Sequence, residues 1–234
     1  MEETEQHWLY ALSAPMVALN ANSDPSYTSA SFYTRPTNVG LDQSWGLHNR
    51  QELLEMVRRM TGYGHAGELE PAYRQWARCL PSEWQALLDT LSPRDRTCYE
   101  YASRTYGECG PGGIQAWDLG RMGFLLRCSV LKGWLDEQDS LWLHSRLAVR
   151  ARYYYDSWNQ YVAAFLVGRA YWKCLGNSDE NLGHALDRQG SFADNLGITH
   201  ELFREARSLF AQLPWGMPLT FPERPPSLQE FDWS

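Results

Sequence analysis

Apolar residues recur along this chain at i, i+3, i+4 and i+7, the period of an amphipathic helix, and no stretch alternates for long enough to make a strand. At about 100° per residue, Ile114, Trp117, Arg121, Phe124, Leu125 and Cys128 fall on one side of one segment. Trp158, Tyr161, Val162, Phe165, Arg169 and Trp172 do so in another. The same spacing predicts central helices over Ile114 to about Leu131, Asp136 to about Tyr155 and Ser157 to about Leu175, joined by turns short enough to pack neighbours antiparallel.

Capping and breaking residues place the other elements. Pro15 divides the first twenty residues into two short helical pieces, with Ser13 as cap of the second. Asn49 and Glu52 open a helix whose stripe is Leu53, Met56, Val57 and Met60, ended by Gly62 or Gly64. Tyr73, Trp76, Ala77 and Leu80 form the stripe of a short helix. After Pro81 comes another, capped by Ser82, with Trp84, Leu87, Leu88 and Leu91. Ser92-Pro93 starts a further helix, and the run Gly107 to Gly113 stops it. Thr199 caps a last helix carrying Leu202, Phe203, Ala206, Leu209, Phe210 and Leu213. Residues 20 to 41 read as an irregular excursion, and 176 to 198 as loop with at most one weak helix. The expected fold is all-α: a compact, non-repetitive multi-helix single domain over residues 1–213, with a Pro-rich C-terminal tail over 214–234.

Eleven Trp and thirteen Tyr change this picture, because their N–H and O–H tips need partners and so predict a core threaded with polar groups. A net charge of -7 speaks against nucleic acid or an anionic membrane as the main partner and suits a basic protein. No apolar run approaches the roughly 18 residues of a membrane span, and the first residues, Met1 to Glu5, are acidic where a signal peptide is basic, so a cytoplasmic location is expected. Five cysteines, odd in number and without a C-x-x-C pair, fit neither a disulfide framework nor a zinc site. Cys79, Cys98 and Cys128 are expected inside helices as buried thiols.

Arg121 and Arg169 lie within apolar stripes, where a guanidinium needs an acceptor. Asp118, about 60° from Arg121 around the helix, is the nearest. With His65, in the turn Gly62 to Gly67, these residues form a candidate buried polar network or anion pocket, either satisfied internally or open to a carboxylate or phosphate. His65 against Asp118 also has the make-up of an oriented general base. No metal face is spelled out, since His184 with Asp179, Glu180 and Asp187 reads as acidic decoration. G-x-S-x-G and P-loop motifs are absent, and Gly110-Pro111-Gly112-Gly113 reads as a helix breaker. No catalytic set and no cofactor is implied.

The blocks Trp45-Gly46-Leu47, Arg50 to Leu54, Gly64-His65, Ala116 to Arg121, Ser157-Trp158, Gly168-Arg169 and Trp172 resemble an uncharacterised bacterial family, that of the YbeU and YbeR-like proteins. The resemblance spans about residues 40 to 175 and brings no activity with it. The expectation is a non-enzymatic protein-binding domain, most concretely an immunity or partner protein that masks a basic toxin or effector. Glu180, Asp187, Asp194, Trp215 and Trp233 are its candidate contacts. The alternative is a small-anion binder or hydrolase built on Asp118, Arg121, Arg169 and His65. The tail either docks in a partner's groove or folds back through Phe231 and Trp233.

Overall fold

Several helices in this protein start where a side chain takes up one of the first free backbone N–H groups. The computed structural model describes residues 1–19, 27–30, 39–189, 202–203 and 209–233. Within these, α1 spans Glu3–Ala11, α2 Ala14–Leu19, α3 Leu41–Trp45, α4 Arg50–Tyr63, α5 Ala66–Trp76 and α6 Pro81–Leu88. They are followed by α7 Pro93–Cys109, α8 Gln115–Leu131, α9 Glu137–Tyr154, α10 Trp158–Cys174, α11 Asp179–Gln189 and α12 Leu209–Gln212. Asn49 Oδ1 accepts from the N–H of Glu52 (3.0 Å) ahead of α4. Ser92 Oγ accepts from Asp95 (3.1 Å) ahead of α7, Asp136 from Asp139 (2.7 Å) ahead of α9 and Ser157 from Gln160 (3.2 Å) ahead of α10. The chain is all-α, with no strand among the described residues. No described helix is long and apolar enough to cross a membrane.

Contacts gather the chain into two compact units. Unit 1 comprises Met1–Gly62, Leu119–Tyr153 and Ile198–Ser234, and unit 2 comprises Tyr63–Asp118 and Tyr154–Gly197. The core of unit 1 contains Trp8, Leu9, Leu53, Val57, Met122, Leu126, Leu143 and Leu147. Its C-terminal stretch folds back on the same unit. Arg152 donates to the carbonyls of Trp215 (2.8 Å) and Met217 (2.6 Å), Thr220 to Glu5 (2.7 Å), and Trp233 packs on Trp142 with ring centres 5.9 Å apart. In unit 2, α7 is the hub against which α5, α10 and α11 pack.

Several elements depart from the sequence reading. Ser13 precedes α2, but its hydroxyl donates to the Tyr10 carbonyl (2.8 Å) and accepts from Arg127 (2.9 Å), so it is no side-chain cap. The helix around Tyr73 lies earlier than its stripe implies. It begins at Ala66, takes Pro71 into its interior and stops at Trp76, because Leu69, Ala72 and Tyr73 are the residues it buries. Leu80 is therefore 64% exposed, and Cys79 lies beyond the helix instead of inside it. Leu80 is extended (ψ 158°), as the residue before a proline must be. Its N–H donates to Glu83 (2.8 Å), which displaces Ser82 as the cap. Residues 179–189 form a regular three-turn helix where a loop is the main expectation. Leu182 and Leu186, one turn apart, are buried, and Arg94 and Arg104 hold Asp179 and Asp187 from α7. Residues 20–26, 31–38, Thr199 and Ala206 of the predicted excursion and last helix lie outside the described residues.

Candidate functional site

The segment Gly64-His65-Ala66 meets the first turn of α8 in unit 2. Helix α5 starts at Ala66 with its first N–H groups unspent, and the N–H of Ala66 donates to Oδ2 of Asp118 (2.8 Å). The other oxygen, Oδ1, stands 3.4 Å from Nδ1 of His65. Asp118 is fully buried, whereas the His65 side chain is 22% exposed. A carboxylate at a helix N-terminus is favoured by the helix dipole as well as by the hydrogen bond, so Asp118 caps α5 from a distant part of the chain. Two residues further along α5, Glu68 accepts from the Tyr171 hydroxyl of α10 (2.9 Å).

The structure therefore brings His65 and Asp118 together. Arg121 belongs to unit 1, where its guanidinium lies over the Trp45 ring, 4.9 Å from the centroid. Arg169 is half-buried on α10 in unit 2. The aromatic stripe of α10 also departs from expectation. Trp158 and Phe165 are buried, but Trp172 is 46% exposed and packs at a tilt on Trp117, with ring centres 5.6 Å apart. Phe124 is buried too, but it falls in unit 1, since the division between units runs through α8.

Of the candidate partner contacts, Glu180 is exposed at the start of α11, and Asp187 pairs with Arg104 (2.6 Å). Trp215 packs on Trp8 (5.2 Å) and Trp233 on Trp142 and Phe231, so both rings are engaged within unit 1. Asp194 lies outside the described residues. Among the described residues no three His, Cys, Asp or Glu side chains gather closely enough to hold a metal ion. The five thiols are free; burial pushes those of Cys109 and Cys128 up to about 12.

Two further polar groups lie buried in unit 1. Arg127 is fully buried; it donates to Ser13 and lies 5.5 Å from the centre of the Tyr10 ring, and desolvation brings its guanidinium down to about 9. His144 is equally buried, edge-on to Tyr10 (5.1 Å), with Nδ1 2.8 Å from the Ser140 carbonyl, and burial holds it down at about 4. The signal for Arg127 is present in the sequence but lies across faces: α8 has apolar residues on every side, and the chain is buried without a break from Gly112 to Ser129. A helix with no polar face buries whatever charge it carries.

Comparison with known proteins agrees with the resemblance in the motif blocks. The chain is 41% identical to the uncharacterized protein YbeU of Escherichia coli K12, over 94% of each chain. It is likewise 41% identical to the uncharacterized protein YbeR of the same strain, again over 94% of each. No solved structure matches. Residues 40–215 match the family model described as a protein of unknown function, DUF1266, and this chain belongs to that family.

Proposed function

We propose that this protein is a binding module without covalent chemistry of its own, in its most concrete form a partner that masks a basic bacterial toxin or effector. The observation that carries this reading is the duty of Asp118: one oxygen of this buried carboxylate takes the first N–H of α5, which gives the residue a structural task. The net charge of -7 supports a basic partner, which an acidic protein attracts over long range. The half-exposed Trp172, held in place by Trp117, is the kind of rigid aromatic that anchors protein interfaces.

The test is co-purification of the tagged chain with the products of neighbouring reading frames. Recovery of one basic polypeptide in stoichiometric amount supports the reading. Glu180→Lys is then the cleaner charge reversal, because Asp187→Lys would also confront Arg104. Glu180→Lys should slow association in a salt-dependent way and leave the melting temperature unchanged. A second reading, hydrolysis or small-anion binding around His65, is favoured by the partial exposure of that imidazole beside Asp118. Turnover of a substrate by the wild type that His65→Ala abolishes in a folded protein would replace the first reading by the second.

A further inference from the structure

We infer that unit 2 carries a binding site for a small organic carboxylate, in the cleft bounded by α5, the turn Gly110–Gly113 and the first residue of α8. The cleft measures about 180 Å³, below the roughly 300 to 1,000 Å³ of pockets for drug-sized ligands, which sets the ligand's size. This inference is independent of the protein-masking reading and concerns a different set of residues.

Three features point to a ligand. Gln115 is only 7% exposed, yet its side-chain amide bonds to no other described residue and lines the cleft. With no partner among the described residues, this amide can bond a polar group that enters the cleft. Arg78 also lines the cleft. Its neighbour one turn back, Arg74, is neutralised by Glu70, whereas Arg78 pairs with no carboxylate among the described residues. The N-terminus of α8, at Gln115, adds the positive end of a seventeen-residue helix. A guanidinium fork, an amide and a helix N-terminus around one space select a carboxylate.

The walls supply the rest of the specificity. Ala66, Ala77, Pro111 and the rings of Tyr73 and Tyr154 are apolar surfaces for the body of the ligand. The turn that forms the floor is preorganised. A Cβ on Gly113 (φ 53°) would stand 2.6 Å from the Tyr73 ring, and one on Gly112 would stand 2.7 Å from Cβ of Tyr154. The Tyr155 hydroxyl clamps the turn to α8 by donating to the Gly113 carbonyl (2.9 Å) while accepting from the Ala116 N–H (2.8 Å). The glycines are thus required by close packing as well as by turn conformation, and the turn is more than a helix breaker.

Benzoate, a carboxylate on a flat apolar body, is a suitable probe, with benzamide as its uncharged counterpart. Titrated into the full-length protein and followed by amide NMR, benzoate should give saturable shifts at millimolar concentration, confined to Ala66, Ala77, Gly112, Gly113 and Gln115. Benzamide should bind at least about tenfold more weakly. Arg78→Ala, an exposed substitution that leaves the melting temperature unchanged, should weaken benzoate binding by about tenfold or more, and Gln115→Leu should do the same in a folded protein. No saturable shift, equal binding of benzoate and benzamide, or an affinity indifferent to Arg78→Ala would each overturn the inference.

Discussion

Gly64 lies so close to the Asp118 carboxylate that a Cβ at that position would stand 2.2 Å from Oδ2 and 2.8 Å from Oδ1. The glycine is needed for approach, since any side chain would push the carboxylate off the Ala66 N–H. Gly64→Ala should therefore destabilise the fold by about 1 to 3 kcal/mol, as overpacking does. Asp118→Ala should cost a similar amount by leaving a helix N–H unmatched. The two changes act on one contact, so the double variant should cost clearly less than the sum. Urea denaturation of the four proteins measures this, and strict additivity would show that Gly64 matters for another reason.

The second prediction concerns acid. Folded His144 is held near 4, whereas an unfolded histidine titrates near 6.5. As pH falls through about 6.5 the unfolded chain takes up a proton that the folded chain refuses, so stability declines until about pH 4 and levels off below it. The part due to His144 is on the order of 3 kcal/mol. His144→Asn keeps a donor for the Ser140 carbonyl and removes the titration. Its urea midpoint should vary less between pH 7 and about 4.5 than that of the wild type; equal pH slopes would contradict the assignment.

Ser13 and Arg127 supply a third. Ser13 gives a buried guanidinium an acceptor at 2.9 Å, and hydrogen bonds to charged groups contribute about 1.5 to 3 kcal/mol. Ser13→Ala should cost about that much in the wild type. In an Arg127→Met background, where no charge needs the hydroxyl, the same substitution should cost well under half as much. If the cost is unchanged by Arg127→Met, the hydroxyl serves only its bond to the Tyr10 carbonyl.

What could be read from the sequence follows the range of the interaction. Ser92 and Asp136 cap where the sequence places helix starts, and Ser157 caps α10 in place of its neighbour Asp156; a cap involves residues three apart and is written locally. The α5 boundaries were not legible. Propensity places Pro71 outside a helix, while burial of Leu69, Ala72 and Tyr73, which only the tertiary structure reveals, holds it inside. Residues 179–189 show the same override, with Leu182 and Leu186 as their two anchors. Residue type marks His65 and Asp118, and the two do meet, whereas the main-chain partner at Ala66 carries no side-chain signal. Nothing in their own segments marks Arg78 and Gln115. They face one cleft only because the Gly110–Gly113 turn carries the chain back across α5.

The last prediction concerns the C-terminal stretch of unit 1. Arg152 reaches from α9 to two of its carbonyls, at Trp215 and Met217, and its guanidinium lies 4.4 Å from the centre of the Trp8 ring. One planar group thus makes two divergent hydrogen bonds and a stacked contact, and burial lowers its affinity for a proton without exhausting it. Both bonds leave from one nitrogen, Nη2, while the flat guanidinium covers Trp8; lysine keeps the charge but lacks the flat face and the fixed direction of that N–H pair. Arg152→Lys should therefore free residues 214–217 while the rest of unit 1 stays folded, and limited proteolysis should cut there faster than in the wild type. Arg152→Ala should do so more strongly and should also expose Trp8, which a red shift in tryptophan emission would register. Ser227→Ala, made at the far end of the same stretch where the hydroxyl donates to Asp139, should leave cleavage near residues 214–217 unchanged. If Arg152→Lys is as resistant as the wild type, the Trp8 to Trp215 packing is what holds the segment, and Trp215→Ala becomes the variant that releases it.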